Sequence, residues 1–369
     1  MERKGVEIGT FSGITLRLDY SWFIIFFLIS LSFVGNVLPT LYPEMSTVTT
    51  FITGMVSSFL LFGSVVLHEF AHSLYAKRSG LEIDTITLFL FGGAAELKEE
   101  PHTPRQEFIM AAVGPLASIG IAMIFGMVAA AGIVMEYTPL IAAGSTLASI
   151  NLALALFNLV PGFPLDGGRI LRAVIWKFTN SLLKATEVTT TIGKIFAVVL
   201  ISFGFLQLLL GVLGGLWLML IGYFLYTAAS ISYQQTLAKF FLEDVPVAEL
   251  MIRDQGAPLL ESMASSMPDQ THDLQYSTPL AMPLQNSTDK RMVGAPFTDD
   301  ERSTQGNNAD QNDINVQPED PAMKAYRLIF ERGLNNIPVT KNGRVVGSLS
   351  LENVRGYLAG KQRLRSLRK

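Results

Sequence analysis

Six long apolar stretches dominate the first two thirds of this 369-residue chain. They cover residues 21–42, 51–76, 106–134, 140–160, 188–210 and 213–232. Each is long enough to cross a hydrocarbon core of about 30 Å as an α-helix. The pattern therefore predicts an α-helical polytopic membrane protein, with six transmembrane helices in a domain of residues 1–240.

Two connections between these stretches have patterns of their own. Residues 83–98 form two short β-prone runs around Gly92 and Gly93, which predicts a small membrane-associated β-hairpin. Residues 158–169 contain Pro161 and Pro164, and an α-helix does not continue cleanly through proline. Irregular backbone at membrane depth is tolerated where it lines a cavity, so we expect a cavity beside this segment.

The last third of the chain divides again. Residues 255–313 are rich in Ser, Gln, Asn, Asp, Thr and Pro, which is typical of a disordered insert. The flanking segments 241–254 and 314–369 predict one small α+β module. It has a short strand in residues 245–253, a helix at 322–331, and strands at 337–340 and 345–350 that are joined by the turn dipeptide Asn342-Gly343.

The distribution of charge supports the division at residue 240. Residues 1–240 hold 13 Lys or Arg and 14 Asp or Glu, whereas the 129 residues that follow hold 15 and 17. Charged residues therefore make up about 11% of residues 1–240 and about 25% of residues 241–369. A charged fraction of about 25% is ordinary for soluble domains, and the first part of the chain is far below it. A net charge of −3 argues against a nucleic-acid partner, and the absence of cysteine excludes a disulfide scaffold and thiolate metal ligands.

Lys and Arg alternate between the connections in a way that predicts orientation. The N-terminal segment and the connections 77–105 and 161–187 are basic, whereas the connections 43–50, 135–139 and 211–212 contain no Lys or Arg. Because basic connections stay on the cytoplasmic side, both termini and the tail are expected in the cytoplasm. The expected location is a multi-pass position in a lipid bilayer, most simply a prokaryotic plasma membrane.

The second apolar stretch carries the candidate chemistry. Two of the four histidines lie in His68-Glu69-Phe70-Ala71-His72, and the spacing of four places both imidazoles on one helix face. Such a pair can bind zinc, and the glutamate beside it can act as general base on a metal-bound water. Ionisable groups inside the bilayer usually mark function. The alternative is that these residues lie past the helix, among lipid headgroups.

A catalytic zinc site needs a third protein ligand. His102 lies in a polar loop, and His272 lies in the predicted disordered insert. Asp166 is the better candidate, because it follows the fourth apolar stretch at the same depth and on the same side as the histidines. The alternative for Asp166 is an N-cap of the segment that starts at Gly167.

These motifs together resemble the site-2 protease family of intramembrane zinc metalloproteases. The resemblance is carried by His68-Glu69-Phe70-Ala71-His72 and by Asn158, Pro161, Pro164, Leu165, Asp166 and Gly167. It implies one Zn²⁺ per chain held by His68, His72 and Asp166, with Glu69 as catalytic base and Asn158 in contact with the substrate or transition state. It also implies that the substrate contacts Gly92 and Gly93 of the hairpin and the segment of Pro161 and Pro164.

The tail resembles a cystathionine-β-synthase-type (CBS) module. In such modules a Ser or Thr and a following Asp or Asn contact an adenine nucleotide, and Ser350 and Asn353 occupy these positions. Asn stands here in place of the commoner Asp, and the long insert departs from the usual pattern. Since such modules normally pair and one is present, the resemblance implies a homodimer through the tails or a module that binds nothing.

The function expected from the sequence is hydrolysis of transmembrane protein substrates near the cytoplasmic face of the membrane, with regulation through the tail. Two other functions use the same residues. A metal-ion transporter could line an ion path with intramembrane His and Asp. A catalytically silent membrane nucleotide sensor would use the tail alone. Glu69 beside His68 favours the protease, because neither alternative needs a base at that position.

Overall fold

The computed structural model describes residues 5–90, 92–97, 100–253 and 316–366. The predicted disordered insert 255–313 lies outside these residues. The chain divides into two compact units, residues 1–240 and 241–369.

The first unit is mostly helical, and the described residues contain six helices long and apolar enough to cross a membrane. The first span is built from α1 (Tyr20–Ser32), a π-helical turn (Phe33–Val37) and α2 (Leu38–Leu41). The others are α3 (Thr47–Arg78), α4 (Pro104–Val134), α5 (Thr138–Asn158), α7 (Leu182–Leu209) and α8 (Gly214–Leu242). The six predicted spans are confirmed, although α7 begins six residues earlier than expected and α8 continues beyond residue 232.

The helices expose their largest apolar side chains and bury small and polar ones. Phe27 and Met127 are each 64% exposed, whereas Ser57 and Asn151 are fully buried. Asn151 Nδ2 donates to Ser64 Oγ at 3.3 Å and to the Leu147 carbonyl at 2.9 Å, which joins α5 to α3. Exposed apolar surface of this extent is typical of helices that contact lipid, and buried polar contacts are typical of packed transmembrane helices. The chain is therefore an integral membrane protein.

A four-stranded sheet lies in the same unit. Its strands are β1 (Gly5–Phe11), β2 (Ile14–Asp19), β3 (Ile83–Phe89) and β4 (Gly92–Leu97), in the order β1-β2-β3-β4. The pairs β1–β2 and β3–β4 are antiparallel, and β2 runs parallel to β3 with Thr15 opposite Thr85.

The prediction of a hairpin in residues 83–98 is confirmed, but the strands beside it were not predicted. The hairpin forms, but it is half of a larger sheet, whose other half comes from residues 5–19. Gly92 and Gly93 were expected around the turn, and instead they begin β4. The alternation of Ile14, Leu16 and Leu18 was a strand signal, but the partner of β2 lies about 70 residues further along the chain.

The sheet packs on the end of α3 that carries the histidines. Ile14, Ile83 and Ile86 form an apolar cluster with Ala76 and with Met110 of α4. Strand β2 directly precedes the first span and β3 follows the second, so their pairing requires both strands to lie on one side of the membrane. Two crossings of the bilayer satisfy this requirement.

The segment between α5 and the short helix α6 (Asp166–Thr179) is irregular, as Pro161 and Pro164 predicted. Within it, the Phe163 N–H donates to the Thr189 carbonyl of α7 at 3.1 Å. The segment is thereby fixed to a neighbouring helix just before Asp166.

The second unit contains a three-stranded antiparallel sheet and two helices. Its elements are β5 (Ile252–Arg253), α9 (Ala322–Arg332), β6 (Asn336–Lys341), β7 (Arg344–Ser350) and α10 (Leu351–Ser366), with the strand order β5-β7-β6. Asn342 and Gly343 have φ of 53° and 78°, as the predicted hairpin turn requires. The core contains Ile329, Ile337 and Leu349.

The strand expected in residues 245–253 is largely absent. Residues Val247–Glu249 form a 3₁₀ turn, and only Ile252–Arg253 pair with β7. Pro246, which has no N–H to donate, precedes the turn and makes a single bridge to Pro321.

Candidate functional site

Helix α3 presents His68 and His72 on one face. Their Nε2 atoms are 3.3 Å apart, and the two rings meet edge to face with centroids separated by 4.9 Å. His68 is 3% exposed, so the pair lies inside the protein. The prediction from the spacing of four residues is confirmed.

Asp166, the first residue of α6, completes the cluster. Its Oδ2 lies 3.2 Å from His68 Nε2 and 3.3 Å from His72 Nε2. The N-cap of α6 is Leu165, and no side chain caps this helix. The alternative role of Asp166 as N-cap is therefore wrong, because its carboxylate turns toward the histidines.

Helix α4 orients both imidazoles through contacts with their Nδ1 atoms, on the side of each ring away from Asp166. His72 Nδ1 lies 2.6 Å from the Met110 carbonyl, and His68 Nδ1 lies 2.9 Å from Ser118 Oγ. A carbonyl only accepts hydrogen bonds, so Nδ1 of His72 carries the proton and Nε2 presents a lone pair to the cluster. Neither partner was predicted from the sequence, since Met110 acts through its backbone carbonyl and Ser118 resembles a small packing residue.

The cluster has the properties of a metal site. Asp166 Oδ2 is buried and makes no hydrogen bond to any residue that the structure describes. When His72 is neutral, with its proton on Nδ1 toward Met110, the Nε2 lone pair faces this carboxylate, and a bound cation relieves their repulsion. Zinc bonds of 2.0–2.1 Å in a tetrahedron give ligand atoms separated by about 3.3–3.4 Å. The three separations of 3.2, 3.3 and 3.3 Å match this value, so the residues fit a zinc ion.

The other two histidines are excluded or untested as ligands. His102 is exposed, and its backbone N–H donates to Gln106 Oε1 at 2.9 Å. The group of His, Asp and Glu within the described residues that could hold a metal comprises His68, His72 and Asp166. His272 lies outside the described residues.

Glu69 lies beside this cluster, against strand β4. A β-carbon at Gly93 would stand 2.9 Å from Glu69 Cδ and 3.2 Å from Oε1. The backbone of β4 can therefore approach the carboxyl group only because residue 93 has no side chain. The sheet and the glutamate are in direct contact.

A cavity of about 540 Å³ opens onto the cluster. Its walls come from α1, α3, α5, α8, the sheet and the segment before α6. Among the predicted site residues it is lined by His68, Glu69, His72, Gly92, Gly93, Asn158, Pro164 and Asp166. Pro161 is exposed and does not contribute to the described lining. The expected cavity beside the irregular segment is present.

Ser350 and Asn353, the two residues of the tail that were predicted to contact a nucleotide, form hydrogen bonds with each other. Ser350 Oγ donates to Asn353 Oδ1 at 2.9 Å and accepts from the Asn353 N–H at 3.2 Å. Asn353 Nδ2 also donates to the Leu250 carbonyl at 3.3 Å. In this arrangement Ser350 caps the start of α10 and Asn353 ties that helix to residues 245–253.

The part of the chain that carries the site is similar to known proteins. The sequence model of "Peptidase family M50" matches residues 56–143 and 126–201, which include both histidines and Asp166. The protein named "Putative zinc metalloprotease sll0528" from Synechocystis sp. is 34% identical over 302 residues, which cover 80% of this chain and 77% of that protein.

Two further similarities cover a smaller share of this chain. "Putative zinc metalloprotease Rip3" from Mycobacterium tuberculosis is 34% identical over 67% of this chain and 64% of its own length. The solved "Site-2 Protease from Methanocaldococcus jannaschii" is 31% identical, with a TM-score of 0.43, over 62% of this chain and 95% of that chain. The sequence similarities show that the chain belongs to peptidase family M50, the site-2 protease family of zinc metalloproteases.

Proposed function

We propose that this chain is an intramembrane zinc endopeptidase that hydrolyses membrane-spanning proteins near the cytoplasmic face of the bilayer. The main support is the meeting of His68, His72 and Asp166 within 4.8 Å, at a cavity inside a helical membrane unit. Ionisable side chains brought together from the span α3 and the short helix α6 are costly in a bilayer unless they serve a function.

The three side chains hold one Zn²⁺ per chain through two imidazole nitrogens and one carboxylate oxygen. Three protein ligands leave one position free, as catalytic zinc sites require. When bound, zinc supplies a Lewis acid for the scissile carbonyl and promotes ionisation of a water. Met110 and Ser118 keep the imidazoles in the orientation that ligation needs.

Glu69 is the general base. It follows His68 directly in α3, lines the same cavity and lies within contact of β4. Its carboxylate accepts a proton from the attacking water and then donates that proton to the amide nitrogen that leaves. The C–N bond breaks, and the products are a carboxylate and an amine.

The cavity receives an unwound stretch of substrate. A helix hides its peptide bonds, so the substrate has to be extended before hydrolysis, and the freed backbone groups need partners. Strand β4 lies at the edge of the described sheet and offers such partners by strand addition, with Gly92 and Gly93 nearest the site. Asn158 and Pro164 contact the substrate from the opposite wall. Pro161, exposed and away from the wall, supports the irregular backbone. Spans with Gly or Asn near the cytoplasmic end are the expected substrates, because they unwind more easily.

The proposed orientation places both termini in the cytoplasm of a prokaryotic cell. Support comes from the alternation of basic and non-basic connections and from the six spans, which return the chain to its starting side. The site lies in the half of α3 that ends in Lys77 and Arg78, toward the same side.

The tail is a CBS-type module that regulates the protease, and two copies form a homodimer through their tails. The α+β elements of the second unit support this assignment. An adenine nucleotide at Ser350 and Asn353 would replace the bonds that these residues make to each other. Retention of radiolabelled ATP by the full chain, and its loss in Asn353→Ala, would test this part.

The protease function is tested by terminal-amine mass spectrometry. The purified chain is reconstituted into the same proteoliposomes as detergent-solubilised membrane proteins from a host strain that lacks it, and new N-termini within membrane spans are identified. Wild type should produce such termini, and Glu69→Gln should not, while both retain one zinc per chain. Glu136→Gln, which changes an exposed glutamate between α4 and α5, serves as the matched control.

New intramembrane termini in equal number from wild type and Glu69→Gln would contradict the proposal. Zinc flux into sealed vesicles that does not depend on Glu69 would favour a transporter instead. Cleavage and zinc flux measured in Glu69→Gln thus distinguish a protease from a transporter.

A further inference from the structure

A buried ion pair joins α4 to α6 beside the metal site. Glu107 is fully buried and Arg172 is 4% exposed. Arg172 Nε donates to Glu107 Oε1 at 2.5 Å, and Nη2 of the same guanidinium contacts the same oxygen. Two charges removed from solvent in this way are costly, and such a pair is weak evidence for a role in stability. Its retention inside a membrane unit therefore calls for another explanation.

Helix α4 is the element on which all three proposed ligands depend. Glu107, Met110, Gly114 and Ser118 follow one another at spacings of three or four residues, so they lie along one face of the helix. Met110 and Ser118 orient the two imidazoles, and a β-carbon at Gly114 would stand 2.8 Å from His68 Nε2. Glu107 continues the same face by one turn, and its partner is on the helix that begins with Asp166.

Arg172 also reaches the segment before Asp166. Its guanidinium carbon lies 5.0 Å from the centroid of the Phe163 ring, within the range of a cation–π contact. The guanidinium is therefore held between the α4 carboxylate and the segment that leads into α6. The second carboxylate oxygen, Glu107 Oε2, is buried and has no hydrogen-bond partner among the described residues. Among these contacts the guanidinium alone compensates this carboxylate.

We propose that Glu107 and Arg172 are positioning residues for the metal site. The pair fixes α6 against α4, and so holds the Asp166 carboxylate at the same helix face that orients His68 and His72. Asp166 belongs to the first turn of α6 and has no capping bond of its own. Its position is set by where α6 is held. The role of the pair rests on the metal site proposed above.

A double substitution separates positioning from stability. Glu107→Leu with Arg172→Met removes both charges together, and replacing a buried ion pair by apolar residues is often neutral or stabilising. If the pair positions Asp166, this variant should keep the melting temperature of the metal-free wild type but bind zinc about 10–100-fold more weakly, as for loss of other supporting contacts around a metal. A structural role alone would leave zinc affinity unchanged.

The measurements are made on the full chain in detergent. Zinc affinity comes from competition with a chelator, and cobalt substituted for zinc reports coordination through its visible absorption bands. The double variant should show weaker or shifted cobalt bands. Glu7→Gln, which breaks an exposed ion pair between Glu7 of β1 and Arg17 of β2, is the matched control and should leave affinity and spectrum unchanged.

A second variant covers the case in which the double variant fails to fold. Arg172→Lys keeps the positive charge but loses the two-nitrogen contact with Glu107. It should also weaken zinc binding and alter the cobalt spectrum. Wild-type affinity and spectrum in a folded double variant, or in Arg172→Lys if the double variant does not fold, would overturn the positioning role. Failure of the wild type itself to bind zinc would overturn the proposed function, and the positioning role with it.

Discussion

Gly114 of α4 lies against the imidazole of His72 so closely that a β-carbon at position 114 would overlap its Nε2 atom. The same β-carbon would stand 2.8 Å from Nε2 of His68. Both contacts involve the nitrogens that face Asp166. The backbone of α4 therefore forms one wall of the metal site, and only glycine leaves room for the imidazoles there.

Gly114→Ala should abolish tight zinc binding. The added methyl displaces both imidazoles, and we expect a loss of affinity of about 100-fold or more, beyond the range seen when supporting contacts are removed. Zinc content after dialysis against a weak chelator measures the effect. Gly120→Ala on the same helix is the control, because its β-carbon meets open space. Both changes favour helix by about 0.5–1 kcal/mol, so helix propensity does not explain a contrast between them.

Gly93→Ala should separate catalysis from metal binding. The added β-carbon contacts the Glu69 side chain and forces its carboxyl group aside, while the metal ligands are untouched. A misplacement of about 1 Å can cost about 100-fold in rate, so cleavage should fall by about 10–100-fold with zinc content unchanged. The yield of new intramembrane N-termini measures it. Gly63→Ala on α3, which meets open space, should cleave like wild type.

Ser118→Ala should weaken zinc binding without disturbing the fold. It removes the partner of His68 Nδ1, and the loss of such contacts costs about 10–100-fold in metal affinity. Chelator competition measures the change. Ser230→Ala is a suitable comparison, because within the described residues that hydroxyl bonds to the carbonyl of Tyr226 in its own helix. Equal affinities in the two variants would show that Ser118 does not orient His68.

The tail should loosen in acid at the start of α9. Burial alone raises the pKa of Asp320, but the Gln317 N–H and the Lys324 ammonium, each 2.8 Å from Oδ2, leave that pKa below its ordinary value. A lowered pKa gives stability that is complete above the unfolded value of about 3.9 and is lost as pH falls through the folded value. Protection of the amides at residues 317–324 against hydrogen exchange, taken relative to the unfolded chain at the same pH, should therefore fall below about pH 4.

Asp320→Asn tests the cause of that acid response. The variant should have lower protection near neutral pH and show little further loss of protection in acid, since its side chain does not titrate there. Asp244→Asn, an exposed change outside the pair, should behave like wild type. An unchanged acid response in Asp320→Asn would assign the loosening to other groups.

Features encoded by local spacing were predictable from the sequence. The six spans follow from continuous apolar runs, and His68 and His72 follow from a spacing of four residues on a helix. Asp166 was found because Pro164 and two glycines mark an interruption at the matching depth. Each of these signals lies within about 30 residues of chain.

Features that depend on contacts between distant residues, or on backbone atoms, could not be predicted from the sequence. Strand β2 pairs with β3 about 70 residues away, so no local pattern could show that the hairpin is half of a sheet. Met110 supports His72 through a carbonyl that every residue has. The Glu107–Arg172 pair joins positions 65 apart, and each alone resembles an ordinary charge near the end of a helix.

The parallel pairing of β2 with β3 also sets an order of assembly during synthesis. Strand β2 leaves the ribosome before its partner exists, and two spans must be made and inserted before β3 can reach it on the same side of the bilayer. Only then can β4 bring its backbone to Glu69. Asp166 follows two spans later still, so a nascent chain passes through most of its membrane insertion before it can hold a metal. Until that point the partly made chain lacks the site that we propose cuts membrane proteins.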